Sequence, residues 1–174
     1  MIELFVPLSI ILFAVILRLI PHPANFAPIA AMALFGGAYL DKRYALTVPL
    51  IAMLFSDYFL GFHSVMIFVY GSFLLTGLIG LWLKNHKNAA YVFGAALFSS
   101  FLFFLITNFG VWLVGGLYPK TISGLLQAYV YAIPFFRNTI IGDLFYAGVF
   151  FGGYEFVLKT IEARRWKLDL EARK

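Results

Sequence analysis

The sequence predicts an all-α, polytopic membrane protein with six transmembrane helices, and three observations lead to that prediction. Hydrophobic residues make up 63% of the 174 residues, and charged residues only 12%. The mean hydropathy is +0.92. Soluble domains are about 45–50% apolar and about 25% charged, so too few charges remain here to cover a water-exposed surface. Apolar runs close to the length of a membrane crossing also recur along the chain.

Each predicted span is an apolar run that ends at charged or turn-forming residues. A helix needs about 20 residues to cross a hydrocarbon core of about 30 Å. The second and third runs are short and contain Pro28 and Pro49, so we expect tilted or kinked helices there. In chain order, the spans are Leu4–Ile20, Phe26–Leu40, Tyr44–Leu60, Val65–Leu83, Ala89–Thr107 and Pro134–Leu158. They end in turn at Pro21, Asp41, Gly61, Lys84, Asn108 and Lys159.

The distribution of basic residues predicts the orientation. With both termini in the cytoplasm, ten of the thirteen lysines and arginines lie inside, and Arg18, Lys120 and Arg137 lie in the outer half. Cytoplasmic loops of membrane proteins carry such an excess. We therefore expect a multi-pass protein of the cell's inner (plasma) membrane, with both termini cytoplasmic. The same placement argues against nucleic-acid binding, because the basic residues serve as topology signals in short loops and a tail.

A long outer segment, Phe109–Ile133, separates the fifth and sixth spans. Within it, Ile122–Ala132 is apolar and can form a helix, with Thr121 or Ser123 as a possible N-cap. This stretch is too short to span, which favours an extra interfacial or re-entrant helix. We expect one six-helix transmembrane domain, residues 1–160, followed by a basic cytoplasmic tail, residues 161–174.

Polar residues at membrane depth are concentrated in the predicted outer half. Lipid disfavours such residues, and they often mark functional sites. Two histidines, several asparagines and aromatic residues accompany the charges, which is the usual composition of a small-molecule cavity. The candidate substrate-binding residues are Arg18, His22, Asn25, Asp57, His63, Asn108, Trp112, Arg137, Asn138 and Asp143.

The charged residues also have a purely structural interpretation. Arg18–Asp57 and Arg137–Asp143 could be ion pairs that hold helices together, because an unpaired charge in hydrocarbon costs at least about 2.5–3.5 kcal/mol. In the inner half, Glu155 lies four residues before Lys159 and could pair with it along the helix. Individual residues can serve both roles, so both interpretations stay open.

Several chemistries are disfavoured by the sequence. Lys120-Thr121 follows Pro119, where a phosphate-binding loop needs glycine, so the chain itself is not expected to hydrolyse ATP. His22, His63 and Asp57 lack metal-ligand spacing, and the chain has no cysteine, so neither a metal site nor a cofactor is predicted. The protein is not predicted to be an enzyme, although the proximity of Asp57 and His63 leaves an intramembrane enzyme as a third possibility.

Small residues recur at four-residue spacing and let helix backbones approach closely. Internal packing is their usual role, and docking of another membrane protein is the alternative. The spaced sets are Ala27 with Ala31, Ala33 with Gly37, Ser72 with Thr76 and Gly80, and Gly148 with Gly152.

Distinctive local motifs give the sequence a resemblance to a known group of proteins. The motifs are Pro21-His22-Pro23-Ala24-Asn25-Phe26-Ala27-Pro28, Leu34-Phe35-Gly36-Gly37, Ser56-Asp57-Tyr58-Phe59-Leu60-Gly61-Phe62-His63, Thr107-Asn108-Phe109-Gly110-Val111-Trp112, Pro134-Phe135-Phe136-Arg137-Asn138-Thr139 and Gly142-Asp143. They resemble a family of small bacterial membrane proteins of unassigned function. That family is in turn similar to the substrate-binding S components of energy-coupling-factor (ECF) vitamin transporters. The resemblance covers the chain from about Arg18 to Gly152.

The resemblance implies an S-component-like fold with a ligand cavity near the outer face, closed by the loops after helices one, three and five. It implies uptake of a vitamin-like molecule, with cobalamin as a candidate by analogy, and it implies an ECF coupling subunit and ATPases as partners besides the lipid bilayer. One feature departs from the pattern: the first span has only Ala14 where S components often carry an Ala-xxx-Ala stripe, and Ala27–Ala31 is the nearest substitute. The alternative function is a non-transporting membrane subunit that assembles with other membrane proteins.

Overall fold

The structure, a computed structural model, describes residues 2–171, with side chains from residue 4 onward. Six α-helices and no strand occur within this range, which confirms the all-α class. The helices are α1 (Ile2–Leu19), α2 (Ile29–Tyr39), α3 (Thr47–Leu60), α4 (Met66–Leu83), α5 (Ala89–Val114) and α6 (Ile122–Glu171).

The six helices differ in their ability to cross a membrane. Three of them, α4, α5 and α6, are long and apolar enough to do so. The 11 residues of α2 rise only about 16 Å, which is about half of a hydrocarbon core. The expected six spans therefore correspond to three helices of spanning length and to the shorter apolar stretches Leu4–Leu19, Ile29–Tyr39 and Thr47–Leu60.

Helix α2 lies at the centre of the bundle and contacts each of the other five helices. Every residue from Ala30 to Ala38 is buried, as expected for a helix that is apolar all round. Small residues allow α4 to approach α2 closely. A Cβ atom on Gly37 would lie 2.5 Å from the carbonyl oxygen of Gly77 and 2.6 Å from the carbonyl carbon of Gly80. The Ala33–Gly37 and Thr76–Gly80 pairs thus serve internal packing.

Prolines and a left-handed residue shift the helix starts from the predicted ones. Helix α2 begins at Ile29 rather than Phe26, because Asn25 has a φ of 61° and Pro28 disfavours a helical conformation of the residue before it. Helix α3 begins at Thr47 rather than Tyr44, which places Pro49 in the first turn, where the missing N–H is tolerated. Helix α5 runs seven residues past the predicted end at Thr107.

Helix α6 corrects the prediction of a separate interfacial or re-entrant helix. Ile122–Ala132 and Pro134–Leu158 form one continuous helix, which runs on into the tail as far as Glu171. Its 50 residues extend for about 75 Å. Pro134 lies inside this helix and does not end it, since residues on both sides of the proline are buried in the bundle. Thr121 is the N-cap: its side-chain oxygen accepts from the backbone N–H of Gly124 at 3.1 Å.

The two ends of the bundle carry different chemistry. We call the end where α1 and α3 finish and α2 begins the cavity end, and the opposite end the basic end. At the basic end, the Tyr39 hydroxyl donates to Glu155 at 3.0 Å, and the Lys87 ammonium lies 4.5 Å from the centre of the Tyr39 ring. Partial burial lowers the pKa of Lys87, and the charge of Glu155 opposes this shift. Glu155 thus bonds to Tyr39, and among the described residues it forms no ion pair with Lys159.

Candidate binding cavity

A cavity of about 490 Å³ opens at the cavity end, and we call it the first cavity. All six helices contribute to its wall, with α3 contributing Leu60. Much of the wall is apolar, including Ile29 and the aromatic rings of Phe73 and Phe103. Its polar side chains are Arg18, His22, Asn25, Thr76, Thr139 and Asp143. Ligand sites in proteins are cavities of about 300–1,000 Å³ that combine apolar walls with a few polar groups.

Arg18 lies on this wall and is held in place by α3. It is only 9% exposed, and its Nη2 atom lies 2.5 Å from Asp57 Oδ1. The Nη1 atom donates to the Met53 carbonyl at 3.1 Å and to the Ser56 hydroxyl. The second Asp57 oxygen accepts from the Tyr70 hydroxyl at 2.7 Å, which adds α4 to the network. The structure thus confirms the predicted Arg18–Asp57 pair, which ties together α1, α3 and α4.

The ion pair does not use all the hydrogen-bonding capacity of Arg18. A guanidinium has five N–H donors. Three acceptor groups, on Met53, Ser56 and Asp57, are its partners within the described residues. Two donors are therefore left on a side chain that lines the first cavity. Arg18 can accordingly hold α1 against α3 and also donate to a bound molecule.

Asp143 is the second buried charged residue of the first cavity. Its side chain is 3% exposed, and Oδ2 lies 2.6 Å from the Ser100 hydroxyl of α5. The expected pair with Arg137 is wrong: Arg137 is exposed, and the ion pair found among residues 4–171 joins Arg18 to Asp57. Six residues on a helix turn through about 600°, which places Arg137 and Asp143 on different faces. Asp143 therefore faces the cavity without a cationic partner in the described part of the chain.

A second cavity, of about 510 Å³, adjoins the first toward α5 and the start of α6. Arg18, Asn25, Ile29, Phe103 and Thr139 line both cavities, so the two form neighbouring compartments of one depression. The additional residues of the second cavity include His63, Asn108, Tyr118, Tyr131 and Phe104. The loops after α1, α3 and α5 thus all reach this depression, as the sequence predicts.

The structure separates the ten candidate residues into two groups. Arg18, His22, Asn25 and Asp143 line the first cavity, and His63 and Asn108 are added by the second. The other four, Asp57, Trp112, Arg137 and Asn138, line neither of the two described cavities.

Three of the residues outside the cavities have structural bonds instead. Asp57 bonds to Arg18 and Tyr70, as described. Trp112 Nε1 donates to the Pro119 carbonyl at 2.9 Å, which folds the loop after α5. Asn138 Nδ2 donates to the Ala24 carbonyl at 3.0 Å, which holds the loop after α1 against α6.

The sequence alone does not predict several polar residues that support the cavities. Thr76 and Thr139 line the first cavity, Ser100 holds Asp143, and Tyr70 holds Asp57. Hydroxyl residues in helices usually bond to the carbonyl one turn back, as Thr76, Ser100 and Thr139 also do here. Such residues give little signal in a sequence. Within the described residues, no group of three or more His, Cys, Asp or Glu side chains could hold a metal ion.

The fold and the cavities define a class of protein. The described chain is a bundle of six apolar helices with cavities at one end, whose largely apolar walls carry a few polar and charged side chains. Three of the helices have the length and composition of membrane spans. These features are compatible with a membrane location.

The chain belongs to a family of proteins of unknown function, DUF6580, whose model matches residues 1–165. No curated protein and no solved structure matches it.

Proposed function

We propose that this protein is a membrane transport protein that binds a small, vitamin-like molecule in the joined cavities and carries it inward across the bacterial plasma membrane. The observation that carries the proposal is the burial of Arg18 and Asp143 in the wall of the first cavity. Ionisable residues inside a membrane are expensive and usually line a site or a pathway. A bundle that needed ion pairs for packing alone would have no use for the unpaired carboxyl group.

The proposed arrangement in the membrane follows from the charges on α6. From Arg137 to Lys159 the helix rises about 33 Å, close to the thickness of a hydrocarbon core. Between them lie two charged residues, the buried Asp143 and Glu155, which bonds to Tyr39. We place Arg137 at the outer interface and Lys159 at the cytoplasmic one. The short α2 then lies within the membrane but is enclosed by the other helices.

Single cysteines on this cysteine-free chain test the orientation. Both Asn85, after α4, and Ser123, at the start of α6, are exposed, and neither side chain caps a helix. With both termini in the cytoplasm, an impermeant maleimide should label Ser123→Cys in intact cells. It should label Asn85→Cys only after the cells are permeabilised. The reverse pattern would place the cavity end in the cytoplasm and contradict uptake from outside.

The likeness to ECF S components supports the proposal in one respect. The loops after α1, α3 and α5 contribute His22, His63 and Tyr118 to the cavities, as that resemblance implies. The proposed docking stripe is less well supported, since Ala14 and Ala31 are buried in the bundle and Ala27 lines the first cavity. A coupling subunit with its ATPases would need to contact another surface. The cavity volumes favour a molecule smaller than a corrinoid.

The three histidines offer a matched test of ligand binding. His22 lines the first cavity, His63 lines the second, and His86 lies at the basic end, stacked on Trp82. We expect native mass spectrometry of the gently purified protein to show a bound small molecule. Adding that molecule should raise the melting temperature, since a ligand at about 100 times its Kd stabilises the folded state by about 2.7 kcal/mol.

That stabilisation should shrink in His22→Ala or His63→Ala and persist in His86→Ala. Purified protein in liposomes, with no partner and no nucleotide, then shows whether uptake needs an ATPase module. If the retained molecule stabilises all three alanine variants as much as the wild type, the joined cavities are not its binding site.

The second candidate is a non-transporting subunit of a larger membrane complex. Helix α6 carries exposed apolar side chains on both sides of Lys159, among them Phe156, Trp166 and Leu168. The exposed Gly152 lies on the same helix, and a Cβ atom there would meet no atom within 4 Å. Native mass spectrometry separates the candidates, because a retained protein without a retained small molecule would favour the subunit.

A further inference from the structure

The unpaired carboxyl group of Asp143 constrains what the first cavity can bind. Only Oδ2 has a partner among the described side chains, the Ser100 hydroxyl, and Asp143 itself lines the cavity. Arg18 does not compensate it, because Asp57 holds the Arg18 guanidinium at 2.5 Å. Asp143 is therefore the acidic group of the cavity wall that no cation among the described residues pairs with. His22 also lies on this wall, at its exposed margin.

The surroundings of Asp143 favour an organic cation over a metal ion. The described residues hold no cluster of metal-ligating side chains, and the wall includes Ile29 and the rings of Phe73 and Phe103. Such a wall accommodates a hydrocarbon body, and aromatic rings also attract cations. A volume of about 490 Å³ leaves room for an organic molecule.

We propose that the molecule bound in the first cavity carries an amino group, which pairs as an ammonium ion with Asp143, and an acceptor group, which takes the remaining N–H donors of Arg18. Its apolar body lies against Phe73 and Phe103. This inference rests on the proposed function and narrows it to a class of ligand, a small amphipathic amine. A buried charge pair with satisfied hydrogen bonds is the arrangement that makes a charged ligand acceptable in such a cavity.

Three fluorinated probes of one shape test the proposal. The probes are 4-fluorophenethylamine, 4-fluorophenethyl alcohol and 3-(4-fluorophenyl)propanoate. Their binding to the protein in lipid nanodiscs is measured by fluorine NMR, and empty nanodiscs serve as the blank. We expect the amine to bind the wild type more tightly than the alcohol or the carboxylate. Asp143→Asn keeps the shape of the side chain. It should lower the affinity for the amine by about tenfold or more, because it removes one member of a buried charge pair.

Two further variants control for indirect effects. Glu155→Gln removes a carboxylate from the same helix at the basic end and should leave all three affinities unchanged. Ser100→Ala removes a bond to Asp143 but leaves its charge, so the preference for the amine should remain. Fluorine spectra are compared only for variants whose melting curves show a folded protein. If Asp143→Asn does not fold, Asp143→Glu replaces it and should keep the preference.

Other outcomes overturn the inference without touching the proposed function. If the amine binds the wild type no better than the alcohol does, or binds Asp143→Asn equally well, Asp143 does not select a cation. Saturable binding of the alcohol or the carboxylate would still support a ligand cavity. If sodium chloride displaces the amine where potassium chloride of equal ionic strength does not, the cation of this site is inorganic and the amine proposal is wrong.

Discussion

Replacing Asp57 by alanine is expected to lower the free energy of unfolding by about 3–5 kcal/mol, because it leaves the buried Arg18 guanidinium without its carboxylate. Thermal melting in detergent measures the effect. Tyr70→Phe is the milder control, since it removes one hydrogen bond to Asp57 and keeps the ion pair. Tyr70→Phe should lower the free energy of unfolding by about 1.5–3 kcal/mol, the range for a hydrogen bond to a charged group.

Removing the whole network separates its structural role from a role in binding. The combined variant Arg18→Met, Asp57→Leu and Tyr70→Phe contains no unpaired charge, and buried ion pairs replaced by apolar groups of similar size often fold as well as the original. We expect its melting temperature to be well above that of Asp57→Ala. Because Arg18 also lines both cavities, the molecule found by mass spectrometry should stabilise this variant less than the wild type.

Two results would contradict these expectations. If Asp57→Ala melts like the wild type, the Arg18–Asp57 pair does not hold α1 to α3. If the combined variant is stable and is stabilised by the retained molecule as strongly as the wild type, Arg18 is a structural residue alone. The purely structural interpretation would then account for this pair, and Asp143 would remain as the acidic residue of the cavity.

The sequence predicted the Arg18–Asp57 pair but not the environment of Asp143, and the difference has a physical reason. Opposite charges in apolar helices must find each other, and Arg18 and Asp57 lie near the same end of their helices. The Arg137–Asp143 expectation failed because proximity along the chain does not place residues on one helix face. Which neighbour approaches that face, here Ser100 of α5, depends on packing between helices.

The same distinction applies to the fold. Apolar runs predicted the all-α class and the order of the apolar helical stretches, since a long apolar stretch avoids water. Two features depended on tertiary structure. The sequence predicts a helix boundary at Pro134, but α6 continues through it, because residues on both sides, such as Ala132 and Thr139, are buried in the bundle. The central position of the short α2 depends on which small residues of α2 and α4 meet.

The approach of α2 to α4 leads to the second large expected effect. Replacing Gly37 by leucine should prevent the native packing of the bundle, because even the Cβ atom would lie 2.5 Å from the carbonyl oxygen of Gly77. Backbone atoms cannot turn aside as a flexible side chain can, so the two helices would have to separate. Extra atoms in a well-packed core usually cost about 1–3 kcal/mol, and this site has no room even for the first of them.

Gly71→Leu, on α4 itself, is the matched control. Gly71 is exposed, and a Cβ atom there would meet no atom within 4 Å. This substitution should leave the melting temperature unchanged or raise it, since glycine is about 1 kcal/mol less favourable than alanine in a helix. Size-exclusion profiles and melting curves of the two variants in the same detergent measure the difference. Because α2 contacts each of the other five helices, Gly37→Leu should also abolish stabilisation by the retained molecule. Equal melting temperatures of Gly37→Leu and Gly71→Leu would show that α2 does not pack against α4 in this way. The positions assigned to the cavity walls, which include residues of α2, would then be wrong.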